Sequence, residues 1–239
     1  MTGYRPAHPM HRILYEMSGL GGRLGQSVRR KLMRRFSKIS LADFNRRVAR
    51  LAPGDICLDL GANMGLVTER LAATGAEVHA YEPDPHCVAA LSRRFAGRNN
   101  VHLHPQAVSE KAGEFLLRRT KDFDLAPDLH SQSSSIAINS PRFYDDENGV
   151  IVETLAFGAV IAGFDRPVTL IKMDIEGAEF SILEHILADL AQGTAPLPIG
   201  AMFVETHERH LPDHVGLLKS LRAMNWEGAL PYPIDTFWP

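Results

Sequence analysis

A glycine-containing turn and an acid that follows it have the residue types of a nucleoside-binding site. Gly61 and Gly65 flank a turn between an apolar run and a helical pattern, and glycines there let the backbone approach a ligand closely. Glu82 lies 21 residues after Gly61, where an acid can accept hydrogen bonds from both hydroxyls of a ribose. Position 63 is Asn rather than the glycine of a pyrophosphate-binding turn, and Asp59 would repel a pyrophosphate but suits a cation. The pattern therefore favours a nucleoside that carries an amino acid over a dinucleotide.

A second group of polar side chains follows two later apolar runs. Lys172, Asp174 and Glu176 are spaced by two residues, as are Glu205 and His207, so each set shares one face if its strand persists. We expect Asp174, Glu205 and His207 to face one another across a cleft. His207 would then be a general base that a carboxylate orients. Lys172 is predicted to contact a substrate hydroxyl or, equally, to form a buried ion pair with Asp174.

Metal chemistry is a minor alternative for the same groups. Asp174, Glu205 and His207 would suit Mg²⁺ or Mn²⁺, but nothing in their spacing requires a metal. A zinc peptidase is excluded, because its H-E-x-x-H motif needs two histidines four residues apart. The histidine that follows His207 is His210, one residue too early.

Composition limits the class of protein. The chain has 239 residues, 26 Lys and Arg against 28 Asp and Glu, and 45% hydrophobic residues, which suits a folded α/β domain. No apolar run approaches the roughly 20 residues of a membrane span, and the N-terminus lacks the apolar core of a signal peptide. The two cysteines show no paired spacing. We therefore expect a reduced, cytoplasmic protein in which both cysteines pack in the interior.

Strand and helix patterns alternate along most of the chain. Strands are predicted at residues 56–60, 77–81, 101–108, 168–173 and 199–204, most of them followed by a helical pattern. This alternation predicts a doubly wound, mostly parallel sheet with helices on both faces, and ligands bind such sheets beyond the carboxyl ends of the strands. Residues 115–117 and 150–152 read as an added strand pair, and residues 226–238 as a final hairpin. The polar, serine-rich segment 121–149, which connects the two strands of the pair, is long enough to be a functional loop.

The N-terminal segment carries a strong positive charge. Residues 1–50 hold 12 of the Lys and Arg residues but only two acids, and they are predicted to form a helical extension of a domain spanning 51–239. An apolar stripe at helical spacing runs through residues 28–39, and Ser40 is placed to cap a further helix. We favour packing of this stripe on the domain; peripheral contact of residues 28–39 with an anionic membrane is the alternative. An organelle transit segment has a similar composition. Nucleic-acid binding is not expected, because no aromatic-rich basic motif lies beside the cleft.

Four segments together resemble the FkbM family of class I methyltransferases, which depend on S-adenosylmethionine. They are DLGANMG from Asp59, YEPDP from Tyr81, AVS from Ala107 and IKMDIEGAE from Ile171, within a resemblance that runs from about Leu51 to Glu208. The resemblance implies a Rossmann-like seven-stranded sheet with one antiparallel strand. It also implies O-methylation of a hydroxyl, often on a sugar or natural product.

The resemblance assigns cofactor roles residue by residue. The turn formed by Asp59, Gly61, Ala62, Asn63 and Gly65 would hold the methionine portion, and Glu82 the ribose. Gln106, Ala107 and Val108 would flank the adenine.

We therefore predict an S-adenosylmethionine-dependent O-methyltransferase that acts on a hydroxyl of a sugar, a glycan or a glycosylated natural product. The first alternative is a non-catalytic scaffold that keeps the nucleoside pocket. A more remote one is an NAD-dependent oxidoreductase, which Asn63 and Asp59 disfavour.

Overall fold

The computed structural model describes Tyr15 and residues 23–131, 134–135, 144–206 and 214–238. The helices are α1 (Arg23–Val48), α2 (Leu66–Ala72), α3 (Pro85–Arg94), α4 (Pro127–His130), α5 (Phe157–Ala162), α6 (Glu179–Ala191) and α7 (Val215–Glu227), with a 3₁₀ turn at Phe123–Leu125. The strands are β1 (Ile56–Leu60), β2 (Glu77–Tyr81), β3 (Val101–His104), β4 (Ala107–Ser109), β5 (Gly113–Thr120), β6 (Tyr144–Ala156), β7 (Val168–Met173), β8 (Met202–Val204) and β9 (Ile234–Asp235).

The main sheet confirms the predicted α/β, Rossmann-like class. Its six strands run in the order β3-β2-β1-β7-β8-β9, and every neighbouring pair is parallel. Side chains on one face, such as Leu58, pack with Phe157, Phe180 and other residues of α5, α6 and α7. On the other face, Cys57 packs with residues of α1 and α2. Both faces are therefore covered, as the continuous apolar strands require.

The C-terminal edge of this sheet differs from the expectation. The predicted hairpin over 226–238 is wrong, because Trp226 lies in α7 and β9 pairs in parallel with β8. The Met202 amide donates a 2.9 Å hydrogen bond to the Pro233 carbonyl, so this segment bonds to the sheet rather than to itself. Within the described residues the sheet has six strands rather than seven, and all of its pairs are parallel.

A smaller, second sheet has the order β4-β6-β5. The predicted strand pair is confirmed, since Phe115 lies opposite Val152 in an antiparallel register. The strand predicted over 101–108 is wrong as a single element: it divides at Pro105, which has no N–H to donate to a ladder. The part before Pro105 joins the main sheet, and the part after it joins the second sheet.

The basic helix α1 packs along the domain as one continuous element. Ser40 is not a cap but lies buried within it. Leu32 and Phe36 are buried against Trp226 and Phe237, with a stacked contact of 4.6 Å between the Phe36 and Phe237 rings. The structure thus agrees with the interpretation that the apolar stripe is a core face. Among the described helices, none is both long enough and apolar enough to cross a membrane.

The substitution Phe36→Ala should lower the free energy of unfolding by about 3–5 kcal/mol, because it opens a cavity at a fully buried position. Urea denaturation followed by circular dichroism measures the change. Lys38→Ala, at an exposed position on the same helix, is the control and should change the free energy by less than about 0.5 kcal/mol. Equal effects of the two substitutions would show that α1 does not pack here.

Candidate functional site

A cavity of about 360 Å³ lies at the carboxyl ends of the central strands. Its volume falls within the range of small-molecule sites, and its place is where open parallel sheets bind ligands. Twenty-one residues line it: Gly61, Ala62, Asn63, Met64, Leu66, Val67, Tyr81, Glu82, Pro83, Gln106, Ala107, Val108, Leu117, Ser131, Ser134, Lys172, Asp174, Ile175, Glu176, Glu205 and Trp238.

Most of the residues that the sequence singled out meet in this one cavity. The predicted cofactor residues on its wall are Gly61, Ala62, Asn63, Glu82, Gln106, Ala107 and Val108. The predicted catalytic residues on its wall are Lys172, Asp174 and Glu205. Asp59 and Gly65 are not among the lining residues, and the predicted base His207 lies outside the described residues.

The turn after β1 is fixed to two neighbouring strands. The amides of Gly61 and Ala62 both donate to the Tyr81 carbonyl at the end of β2, at 3.0 and 3.1 Å. Gly61 has a φ of 75°. A Cβ added there would lie 1.7 Å from the Asp174 carbonyl oxygen at the end of β7. Only glycine therefore lets these strand ends approach so closely.

Gly65 has a structural task at the start of α2. It has a φ of 79°, and a Cβ added to it would lie 2.7 Å from the Phe95 ring and 2.8 Å from Leu91. Glycine at this position lets α2 pack against α3, which orients the turn from behind the cavity.

The Glu82 carboxylate is held at both oxygens by backbone amides. Asn63 N–H donates to Oε2 at 2.8 Å, and Asp84 N–H donates to Oε1 at 2.9 Å. Asn63 reaches this position with a φ of 48°, a left-handed conformation that Asn tolerates better than most residues. Each carboxylate oxygen retains lone pairs for further hydrogen bonds on the cavity side.

Burial makes Glu82 costly to ionise. Desolvation raises the pKa of its carboxyl to about 7, and the nearby Asp84 carboxylate raises it further. The two amide hydrogen bonds and the Lys172 ammonium act in the opposite direction. The carboxylate is thus poised to change its charge near neutral pH.

Asp59 does not contact the cavity as the sequence led us to expect. Its side chain is fully buried beneath the wall, where Oδ2 accepts a 2.6 Å hydrogen bond from the Thr68 hydroxyl. Its Oδ1 lies 3.3 Å from Lys172 Nζ, so its charge is matched within the protein and is not presented to a ligand. Asp59 acts on the site through Lys172.

Lys172 forms the ion pair with Asp174 predicted as one of its two roles, and a closer one with Asp59 that the sequence did not predict. Its Nζ donates a 2.7 Å hydrogen bond to the Gly61 carbonyl and lies 3.8 Å from Asp174 Oδ2. Burial by itself lowers the pKa of Lys172, but Asp59 and Asp174 outweigh that effect, so the pKa is raised. Lys172 remains charged and joins β7 to the turn after β1.

The two carboxylates at the ends of β7 and β8 are placed by their backbones. Asp174 N–H donates to the Leu60 carbonyl at 3.0 Å, and Glu205 N–H donates to the Met173 carbonyl at 2.9 Å. Strand β7 ends at Met173, so strand alternation does not continue to Glu176, which has a φ of 53°. Asp174 and Glu176 line the cavity nevertheless, because the turn after β7 brings them there, and Glu205 lines it from the end of β8. Among the described residues, no His, Cys, Asp or Glu completes a three-ligand metal site with Asp174 and Glu205.

Several wall residues escaped the sequence prediction. Ser131 and Ser134 come from the polar segment that its length marked as a functional loop, and the Ser131 hydroxyl accepts a 3.4 Å hydrogen bond from Asn63 Nδ2. Trp238 reaches the cavity from the C-terminal segment and packs on Phe44 of α1 at 4.3 Å. No local pattern indicated this contact.

The second sheet is anchored to the same wall by one ion pair. Arg119 of β5 donates two hydrogen bonds to the buried Asp84 carboxylate, at 2.9 and 2.7 Å, and its guanidinium lies 4.2 Å from the Phe123 ring centre. Asp84 also accepts a 2.9 Å bond from the His86 amide and so caps α3. Since the Asp84 amide orients Glu82, this ion pair couples the second sheet to the Glu82 carboxylate on the cavity wall.

One family model matches the chain. It is described as the methyltransferase FkbM domain, and the match covers residues 59–225, well over half of the chain. The match includes the glycine turn, Glu82 and the segment around Asp174, and it confirms the resemblance that the sequence motifs indicated.

Curated relatives are similar over shorter stretches. An rRNA adenine N-6-methyltransferase from Streptomyces fradiae is 36% identical over 90 residues, which are 37% of this chain and 27% of that protein. A ribosomal RNA small subunit methyltransferase A from Moorella thermoacetica is 42% identical over 57 residues, or 24% of this chain and 20% of that protein. One from Thermotoga petrophila is 36% identical over 78 residues, 30% of each chain. The chain thus spans less than a third of the length of these relatives.

The substitution Gly61→Ala should weaken ligand binding in the cavity about 100-fold, because the new methyl group would displace the end of β7. Calorimetric titration with S-adenosylhomocysteine measures this. Gly97→Ala is a matched control, since Gly97 has a similar φ of +79° but open space around a Cβ. It carries the same backbone strain, roughly 1–2 kcal/mol, without the collision. Unchanged affinity in Gly61→Ala would contradict the close approach.

Glu82 should make the ligand-free protein less stable as the pH rises. Its pKa is raised on folding, so its contribution to the free energy of unfolding is present below about pH 4.5 and is lost towards pH 7. We expect the stability of the wild type relative to Glu82→Gln to fall by about 3 kcal/mol over this range. Urea denaturation at intervals between pH 4 and 8 provides the comparison, and a difference that does not vary with pH would refute it.

Proposed function

Because the chain belongs to the FkbM methyltransferase family, we propose that it is an S-adenosylmethionine-dependent methyltransferase that methylates a hydroxyl group. The acceptor we propose is a sugar, a glycan or a glycosylated natural product. The observation that carries the proposal is the Glu82 carboxylate, which two backbone amides orient on the wall of a cavity that also contains Asp174 and Glu205.

The cavity lining fits this cofactor better than a dinucleotide. The backbone from Gly61 to Asn63 would hold the methionine portion, Glu82 would accept hydrogen bonds from the ribose, and Gln106 to Val108 would flank the adenine. Four carboxylic acids line the cavity against one lysine, which favours a cationic amino acid and sulfonium over a pyrophosphate. The bound cofactor supplies an electrophilic methyl group. The lining thus argues against the oxidoreductase alternative.

Removal of the acceptor proton falls to groups at the ends of β7 and β8. A hydroxyl is a weak nucleophile, so methyl transfer to it requires a positioned base. Asp174 and Glu205 have carboxylates on the cavity wall, and either can accept the proton or orient His207 as the base. Lys172 is committed to Asp59 and the Gly61 carbonyl, so we assign it the task of holding the turn and Asp174 in place. A divalent metal held by the same acidic groups is the less favoured version of this proposal.

The proposed acceptor differs from the one in the names of the relatives. Those names refer to ribosomal RNA, and one of them to adenine, but the similarity covers at most 30% of these relatives. The carboxylic acids Asp174, Glu176 and Glu205 on the cavity wall suit a hydroxyl acceptor that must lose a proton. Their negative charge would repel the phosphate backbone of RNA. We therefore retain a small or glycan acceptor.

Contact with an anionic membrane would depend on charge alone. Leu32 and Phe36 are buried, so the apolar stripe of α1 is not free to insert into lipid. Among the described side chains of residues 28–39, the exposed basic ones are Lys31, Arg34, Arg35 and Lys38, and these could face an anionic surface. Attraction of this kind is weakened by salt.

Titration calorimetry should show binding of S-adenosylmethionine and S-adenosylhomocysteine, but not of NAD. Glu82→Ala should weaken this binding, because the ribose hydroxyls lose their acceptor. Asp174→Asn, Glu205→Gln and His207→Ala should retain it but slow single-turnover methyl transfer about 10²–10⁴-fold, as expected when a general base is lost.

The control for these variants is Asp189→Asn, which changes a partly exposed carboxylate on α6 that does not line the cavity. Binding of NAD alone would replace the proposal with the oxidoreductase. Cofactor binding without any turnover on hydroxyl acceptors would favour the scaffold. Full rates in all three variants would place the base elsewhere.

A further inference from the structure

We propose that Glu77, His79 and His102 form a binding site for a divalent transition-metal ion of the zinc type. The site lies at the β3 edge of the main sheet, and none of the three residues lines the cavity. It is independent of the proposed methyl transfer.

The three side chains converge because of the strand register. His79 of β2 lies directly opposite His102 of β3, and Glu77 precedes His79 by two residues on the same face of β2. Each residue offers one potential ligand atom, and these three atoms lie within 4.8 Å of one another. The backbone of two hydrogen-bonded strands therefore assembles the group without a flexible loop.

The two separations from the carboxylate oxygen are close to those in a coordination shell. Glu77 Oε1 lies 3.0 Å from His79 Nε2 and 3.6 Å from His102 Nε2. Ligand atoms about a tetrahedral zinc ion, with bonds of about 2.0–2.1 Å, are separated by roughly 3.4 Å. Two imidazole nitrogens and one carboxylate oxygen also form a ligand set that suits zinc and its first-row neighbours. His102 is 45% exposed on its side chain, which leaves the fourth position open to water.

A further histidine orients the site from behind. His104 Nε2 lies 2.9 Å from His79 Nδ1, so when His79 donates from Nδ1 its Nε2 carries a lone pair. That lone pair would face Glu77 Oε1; in the other tautomer Nε2–H donates to the same oxygen at 3.0 Å, so a bound ion would take the place of that hydrogen-bond proton. Hydrogen bonds of this kind fix the tautomer of metal-binding histidines. Phe164 contacts the His79 ring edge-to-face at 4.8 Å and restrains it further.

Arg166 competes for the carboxylate. Its guanidinium bonds to Glu77 Oε2, the oxygen that does not face the histidines. This positive charge repels a bound cation, so the affinity of the site for zinc is lower than it would be without Arg166. The substitution Arg166→Gln should therefore lower the dissociation constant for zinc several-fold.

The site also borders the cavity wall. Tyr81, which lines the cavity, stacks on His104 with ring centres 4.3 Å apart and planes within 9°. An ion held by His79 and His102 would thus fix β3 to β2 next to the proposed cofactor site. Metal occupancy should be visible as stabilisation of the whole fold.

The test is a calorimetric titration of the full, untagged chain with ZnCl₂ after treatment with a chelator. We expect one saturable site. His102→Ala and Glu77→Gln should raise its dissociation constant about tenfold or more, and His104→Phe about 10–100-fold through loss of the orienting bond. His185→Ala, which removes an exposed histidine 3.7 Å from Asp189, is the control and should leave binding unchanged.

Thermal unfolding provides a second measurement. At a hundredfold excess of free zinc over the dissociation constant, the wild type should gain roughly 5–10 °C in Tm, and His102→Ala should not. Absence of saturable binding would overturn the proposal. Binding that His102→Ala and Glu77→Gln leave intact would also overturn it, since the ion would then sit on other histidines.

Discussion

The buried ion pair between Lys172 and Asp59 is the interaction on which the cavity depends. The two residues are register partners on the adjacent strands β7 and β1, with 3.3 Å between Nζ and Oδ1. Lys172 also donates to the Gly61 carbonyl, so the same ammonium fixes the first residue of the glycine turn. Loss of one partner from such a pair costs about 3–5 kcal/mol, because the other charge remains buried. The pair joins the ends of β1 and β7 at the edge of the sheet where the acids of the cavity wall gather.

The cavity wall contains features that oppose stability. Glu82 is a buried carboxyl with a pKa raised to about 7, and Asn63 and Glu176 both have a positive φ. Backbone conformations of this kind cost of order 1–3 kcal/mol each and persist where the surroundings enforce them. Their concentration around one cavity is what a binding site requires, since a carboxylate fully satisfied within the protein would have nothing to offer a ligand.

The second sheet contributes to the cavity wall and is joined to the main sheet by an ion pair. Arg119 connects it to Asp84, and Leu117 of the same strand lines the cavity beside Ser131 from the long polar segment. The family model covers the second sheet as well as most of the main sheet, whereas the ribosomal RNA methyltransferases are similar over less than a third of their length. Similar cofactor sites with different surroundings are the usual way in which one fold serves several acceptors.

The sequence alone determined the α/β class, the central strands and two residues of the cavity wall, Gly61 and Glu82, because these depend on local patterns. The strands at Ile56–Leu60, Glu77–Tyr81 and Val168–Met173 follow from apolar runs between turn signals, and Gly61 and Glu82 from their spacing. Tertiary structure decided the rest. It divided 101–108 between two sheets, turned the expected hairpin into a parallel edge strand, buried Asp59 under Lys172 and brought Trp238 to the cavity. These outcomes depend on which distant strand or side chain competes best for each hydrogen bond, charge or apolar surface, and no local pattern records that competition.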